Sequence, residues 1–270
     1  MKVVLFCGGR GVRLQDFGDP VPKPLITIGA RPLVWHIMKY YAHYGHHDFI
    51  LCLGLKGNLI KEYFVNYKEY ISNDFTLRAG SKIDLLRQDI KNWRITFVDT
   101  GSDANTAERL LAVKKYLNNE EMFLANYAEG LTDADLPTMV QRFNSSKKVA
   151  MVMVSSPKSR YHVASLNEAD GMVTGIRRVG DLNGLWINTG YYIFRNEIFR
   201  HIDSTADLPE ATFQNLIALN QLMGYPHRGL FAAPETFTDR EELEEICAGG
   251  DPPWQPWRSE ATPRAETTSR

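Results

Sequence analysis

Glycines and cations crowd the start of the chain in a pattern suited to phosphate chemistry. Gly8, Gly9 and Gly11 interleave with Arg10 and Arg13, and Lys23 follows between Pro22 and Pro24. Glycines let the backbone approach a ligand with its N–H groups turned inward, and arginines beside such a nest add fixed positive charge. The guest this predicts is a polyphosphate. The two prolines hold the backbone around Lys23 extended and so restrict where its ammonium points. A glycine pair after a first strand also serves ordinary turns; Arg13 and the Pro-Lys-Pro turn make the pattern specific.

The elements that must position these groups can be read from periodicity. Residues 3–7 are an apolar, β-branched run, a buried strand that delivers the glycine loop. Helical spacing over 32–44 is ended by Gly45, and a strand over 48–53 is followed by a helix over 57–67. Further on come a strand over 94–99, a helix over 107–117, a strand over 121–125, a helix over 134–143 and a strand over 149–155. This alternation predicts an α/β fold with a mostly parallel, Rossmann-like sheet sandwiched by helices, and ligands at the carboxyl ends of its strands. From 160 to 194 the pattern changes to short strands with turns: 162–166, 173–177 and 185–194. A helix over 210–223, a strand over 224–231 and a final acidic helix capped by Thr238 or Asp239 complete the prediction.

Composition narrows the function. The 270 residues are 44% hydrophobic, enough for one large domain, and 31 basic against 32 acidic residues give a formal net charge of −1, which argues against a nucleic-acid partner. No stretch approaches the roughly 18 continuous apolar residues of a membrane span, and the start lacks the long apolar region of a signal peptide. Cys7, Cys52 and Cys247 form no Cys-x-x-Cys pair and read as reduced residues of a cytoplasmic protein. The histidines at 36, 43, 46 and 47 have no Cys or Asp at ligand spacing, which argues against a metal site there.

The stretches FCGGRGVRL and KPLITIG resemble the signature of the sugar-1-phosphate nucleotidyltransferases, LAGGxGTRL followed by a lysine in KPMVEIG. The run from Arg31 to Tyr67, then WRITFVDTG, INTGYYIF and PPWQPW, are similar to the glucose-1-phosphate cytidylyltransferase branch. This resemblance implies transfer of a nucleotidyl group, CTP-type, to a sugar phosphate with release of pyrophosphate. It implies Gly8, Gly9, Gly11, Arg10 and Arg13 around the triphosphate and Lys23 at the reacting phosphoryl group. Thr106 and Arg109 of TAERL and Tyr127 of YAEG would line the nucleotide. Arg160, His162, Arg178, Asn188 and Gly190 would line the acceptor, and Glu129 and Glu235 would hold Mg²⁺. One domain over 1–248 is implied, with an acceptor-side subregion over 156–235, a tail over 249–270 that is largely flexible apart from Trp254 and Trp257, and a homo-oligomer.

The chain also departs from that pattern. Glu129 stands where YGDG has aspartate, Glu235 in FAAPET matches the aspartate of FWQPMDT, Val12 replaces a threonine, and Ala128 replaces a glycine. Glutamate keeps the charge and adds a methylene, while Mg²⁺ demands near-ideal octahedral geometry at about 2.0–2.1 Å. Glu129 and Glu235 as plain surface carboxylates are the alternative. If position 128 needs a positive φ, alanine there costs about 1 kcal/mol. TAERL replaces TGGRL, with Glu108 available to pair with Arg109. QEKP is replaced by Arg177, Arg178, Val179 and Gly180, and KSRYHV keeps Arg160 but brings in His162. Two functions from different classes follow: a nucleotidyltransferase with shifted substrate, or a homologue that has exchanged this reaction for another small-molecule tailoring step or for binding alone.

Overall fold

The computed structural model describes residues 1–9, 21–117, 120–157, 162–182 and 184–259. Arg10, Gly11, Val12, Arg13, Arg160 and Tyr161 lie outside the described residues.

The main-sheet strands are β1 (Val3–Phe6), β2 (Asp48–Leu53), β3 (Arg94–Asp99), β4 (Met122–Asn126) and β5 (Ala150–Ser155). After a separate ribbon of β6 (His162–Asn167) and β7 (Met172–Arg178) come β8 (Ile187–Arg195) and β9 (Leu222–His227). The seven-stranded sheet runs β9-β5-β8-β4-β1-β2-β3. Every neighbouring pair is parallel except those of β8, which runs antiparallel to both β5 and β4.

Helices cover both faces: α1 (Leu33–His43), α2 (Gly57–Val65), α3 (Thr106–Val113), α4 (Leu136–Ser146), α5 (Thr212–Ala218) and α6 (Phe237–Ala248). β1 is apolar throughout because side chains alternate across it. Val3 and Leu5 pack with Leu33 and Ile37 of α1 and Phe143 of α4. Val4 and Phe6 pack with Leu110 of α3 and Phe213 of α5. Cys7 and Cys52 are buried, and burial pushes the Cys52 thiol up to about 12, so neither thiol is nucleophilic at neutral pH. No helix among the described residues is long and apolar enough to cross a membrane.

The structure differs from the sequence reading in several places. The helix expected over 210–223 is the short α5, broken at Asn220 in the left-handed region (φ 54°), after which β9 pairs with β5. Sheet hydrogen bonds override helical spacing there. Thr236 caps α6 in place of Thr238 or Asp239; Asp239 is instead the returning carboxylate of a capping box. A hairpin over Phe75–Arg78 and Lys82–Leu85 had no counterpart in the sequence reading. Beyond 249, Trp254 is buried with the α1-side core and Trp257 sits edge-on to Trp35 at 6.0 Å.

Candidate active site

Lys23 lies on a tight turn, Lys23–Leu25, where the sequence predicts extended chain. Pro22 is extended, but Leu25 N–H donates to Pro22 O (2.8 Å) and Ile26 N–H to Lys23 O (3.0 Å), closing a 3₁₀ turn. The turn brings the Lys23 ammonium between two carboxylates, 3.1 Å from Glu129 Oε2 and 2.5 Å from Glu235 Oε1. The lysine side chain is 14% exposed.

Long-range pairing brings the two glutamates together. Just beyond Glu129, Leu131–Thr132 pairs antiparallel with Phe231–Ala232, just before Glu235. Gly130 permits this approach: a Cβ there would stand 2.6 Å from Cε2 of Phe231. Ala128 takes φ 55°, the left-handed conformation, and its N–H donates to Asn126 Oδ1 at 2.6 Å. A fully buried alanine therefore holds the backbone shape that glycine adopts at lower cost.

Tyr127 and Glu129 stand at the junction of two lobes of one cleft. The first, about 380 Å³, is lined by Phe6, Gly8, Thr106, Asn188, Asp207 and Glu210 besides those two. The second, about 500 Å³, runs along Phe231–Glu235 and α6. Asn188 donates from Nδ2 to the Tyr192 hydroxyl (2.8 Å) and accepts from Gly190 N–H at Oδ1 (2.9 Å). Gly190 has φ 77°, and a Cβ there would stand 2.5 Å from the Tyr127 ring, so Asn188 and Gly190 shape the seat of Tyr127. Burial raises the Tyr127 hydroxyl to about 12, which keeps it protonated and able to donate.

Several expectations change. Arg109 does not line the cleft: it is 1% exposed, and its Nη1 donates to Leu53 O (3.1 Å) and Thr100 Oγ1 (2.6 Å). It does not pair with Glu108, whose carboxylate accepts from Asn105 N–H in the capping box that starts α3. Gly8 is required by this arrangement, because a Cβ there would stand 2.3 Å from Arg109 Nη1 and 2.7 Å from Gly54 N. Gly9 is exposed. Thr106 borders the cleft, but its N–H and hydroxyl both donate to Asp207 Oδ1 (2.8 Å each), and its Oγ1 accepts from Leu208 N–H. The carboxylate thus sits on the positive end of α3. Asp207 and Glu210 were missed as cleft residues by the sequence reading, which took Glu210 only as the start of the helix over 210–223. His162 and Arg178 face one another across β6 and β7, exposed, and neither lines either lobe. Their two-stranded ribbon is separate from the main sheet. A separate cavity of about 320 Å³, lined by Arg31, Trp35, His36, Lys39 and Trp257 among others, contains none of the predicted site residues.

With a cation already seated between Glu129 and Glu235, the arrangement can gather charge of both signs at one point. Lys23 suits a phosphoryl oxygen, and the two carboxylates form a hard oxygen donor set.

Residues 2–226 match the family described as Nucleotidyl transferase. The chain is 32% identical over 258 residues to glucose-1-phosphate cytidylyltransferase of Salmonella typhimurium, covering 95% of this chain and 100% of that one. It is 27% identical over 199 residues to D-glycero-alpha-D-manno-heptose 1-phosphate guanylyltransferase of Campylobacter jejuni, covering 74% and 78%. A crystal structure of UDP-glucose pyrophosphorylase complexed with UDP-glucose superposes with a TM-score of 0.67 at 14% identity, covering 93% of this chain and 99% of that one.

Proposed function

The chain belongs to the nucleotidyl transferase family, and on that footing we propose that it is a cytidylyltransferase-like sugar-1-phosphate nucleotidyltransferase. The acceptor's phosphate oxygen bonds to the α-phosphorus of CTP, the bond from that phosphorus to the β-phosphate bridge breaks, and pyrophosphate leaves. Such a site works mainly by positioning and charge neutralisation. The observation that carries the reading is the Lys23 ammonium held between Glu129 and Glu235.

Lys23 then supplies positive charge to the reacting phosphoryl group, the Tyr127 hydroxyl donates at the junction of the lobes, and Gly8 opens the backbone beside it. The first lobe takes the nucleotide and the second the acceptor. Arg109 serves as a positioning residue under Gly8. Arg10, Gly11 and Arg13 complete the triphosphate loop, and Arg160 supplies cationic charge on the acceptor side, whereas His162 and Arg178 line neither lobe.

Glu129 and Glu235 fit a hard divalent cation, because both carboxylates, although longer than aspartate, reach one cationic point. Mg²⁺ is held by one or two carboxylates plus substrate phosphates, and when bound it would neutralise phosphate charge there. A cytoplasmic, homo-oligomeric enzyme agrees with the buried Cys7 and Cys52 and with the exposed apolar residues Leu166, Met172 and Ile176 on the β6–β7 ribbon.

The test is pyrophosphate release from CTP and sugar 1-phosphates with Mg²⁺, alongside the thermal shift produced by CTP. Release that requires both divalent ion and acceptor is expected. Absence of release, with no shift from any nucleoside triphosphate, overturns the proposal.

A further inference from the structure

The cavity beside α1, apart from the cleft, has the features of a second ligand site. It holds about 320 Å³, at the lower end of the size range of small-molecule pockets, and its described lining residues belong to neither lobe of the cleft. One wall is built from a polar network. Asp89 accepts from Lys39 Nζ (3.2 Å), the Tyr67 hydroxyl (3.1 Å) and Asn73 Nδ2 (2.8 Å), while the buried Arg31 donates to Ser72 Oγ (2.9 Å), the Tyr63 hydroxyl (3.3 Å) and Lys68 O (2.8 Å). These groups satisfy one another and fix the shape of the wall.

Two exposed arginines line the same cavity with donors to spare. Arg87 has no ion-pair partner among the described residues, and Arg258 gives one of the five donors of its guanidinium to Gly250 O (2.9 Å). With Arg31 and Lys39 they set four positive charges against the two negative ones of Asp74 and Asp89, which favours an anion. His36, 3% exposed, supplies the opposite kind of group. Its Nε2 lies 3.0 Å from Ile28 O and so donates to that carbonyl, which leaves Nδ1 as a bare acceptor with no partner among the described residues. Burial keeps the ring neutral by pushing its pKa down to about 4. A buried acceptor without a donor costs free energy that a guest's hydroxyl would recover. Trp35 and Trp257 also line the cavity, edge-on to each other at 6.0 Å, and add apolar surface for a carbon skeleton. We propose that this cavity binds a small hydroxylated anion, a sugar phosphate or a sugar acid, with its anionic group on Arg87 and Arg258 and a hydroxyl donating to His36 Nδ1. The inference is independent of the nucleotidyltransferase reading, because no residue of the cleft takes part.

The experiment titrates the full chain with glucose 6-phosphate, glucuronate and inorganic phosphate in a calorimeter, alongside the double variant Arg87→Ala with Arg258→Ala. Saturable binding of at least one of the two hexose anions is expected, tighter than that of inorganic phosphate. The double variant should weaken it by about 10-fold or more, because charge-assisted hydrogen bonds are lost. The two hexoses differ in the anionic group at C6, so the tighter one identifies whether phosphate or carboxylate is preferred. Both arginines are exposed and line neither lobe, so the variant should unfold at the wild-type temperature. If Arg258→Ala loosens the turn at Gly250, Arg87→Ala alone should weaken binding in the same direction. Binding of glucose 6-phosphate that is unchanged in these variants belongs elsewhere on the protein and overturns the inference. Failure of both hexose anions to bind, or inorganic phosphate binding as tightly as they do, also overturns it.

Discussion

The two ends of the cleft are built differently. At the end proposed for the nucleotide, a mostly parallel sheet covered on both faces fixes the backbone, and buried polar groups lock the loops to it. Arg109 ties the carbonyl of Leu53 to Thr100 beneath Gly8, and Asp207 pins the start of α3. At the end proposed for the acceptor, the walls come from the Phe231–Glu235 segment and α6, while the β6–β7 ribbon is separate from the main sheet and lines neither lobe. The difference teaches where each kind of change can be absorbed. The nucleotide end depends on buried hydrogen bonds that fail if one partner is lost, whereas the acceptor end can change side chains without disturbing the sheet.

The sharpest way to break this comparison is Arg109→Ala. It leaves the Leu53 carbonyl and Thr100 hydroxyl short of a buried donor and opens a cavity, so we expect a loss of about 4 kcal/mol, or a Tm lower by roughly 10 °C in a scanning calorimeter. A shift under 2 °C would mean that the guanidinium is not what anchors the nucleotide end.

Next in size is a pH effect. Burial pushes the pKa of His36 on α1 down to about 4 from its ordinary 6.5. The unfolded chain therefore binds a proton that the folded chain refuses between those values. The neutral-ring contribution is present above pH 6.5, is lost as pH falls, and levels off below about pH 4, by up to about 3 kcal/mol. Urea unfolding of the wild type and His36→Phe from pH 4 to 7 should show the wild type losing stability relative to the variant as pH falls; parallel curves would exclude it.

Lys23→Ala sharpens the comparison at the junction. Removing the cation aimed at the reacting centre is expected to lower kcat about 100-fold. CTP turnover near the wild-type rate would show that the lysine only neutralises Glu129 and Glu235.

The smallest effect is expected on the ribbon. Arg178→Ala and His162→Ala should each change stability by less than about 0.5 kcal/mol and leave kcat unaltered, because both are exposed and line neither lobe. A large rise in the acceptor's KM in either variant would mean that the ribbon closes over the substrate.

Much of the fold was legible without coordinates. Strands 48–53 and 94–99 fall where apolar periodicity places them, and Gly8 and Gly9 come just after β1. The helix over 210–223 misled because Leu222–His227 carries residues of either period and its partner β5 is remote in sequence. At the site, the resemblance picked out Lys23, Tyr127, Glu129 and Glu235 for separate roles, but the sequence could not show that the ammonium sits between the carboxylates.

By itself the sequence determined the alternation of strands and helices, the glycine loop and the residue types available for phosphate chemistry, because these follow from local periodicity and backbone freedom. Tertiary structure alone decided that Arg109 is buried, that Asp207 occupies the start of α3, and that Glu129 and Glu235 meet at Lys23. Each of these depends on pairing between segments far apart in the chain, and burial, which sets the strength of a charge or hydrogen bond, exists only once those segments have packed.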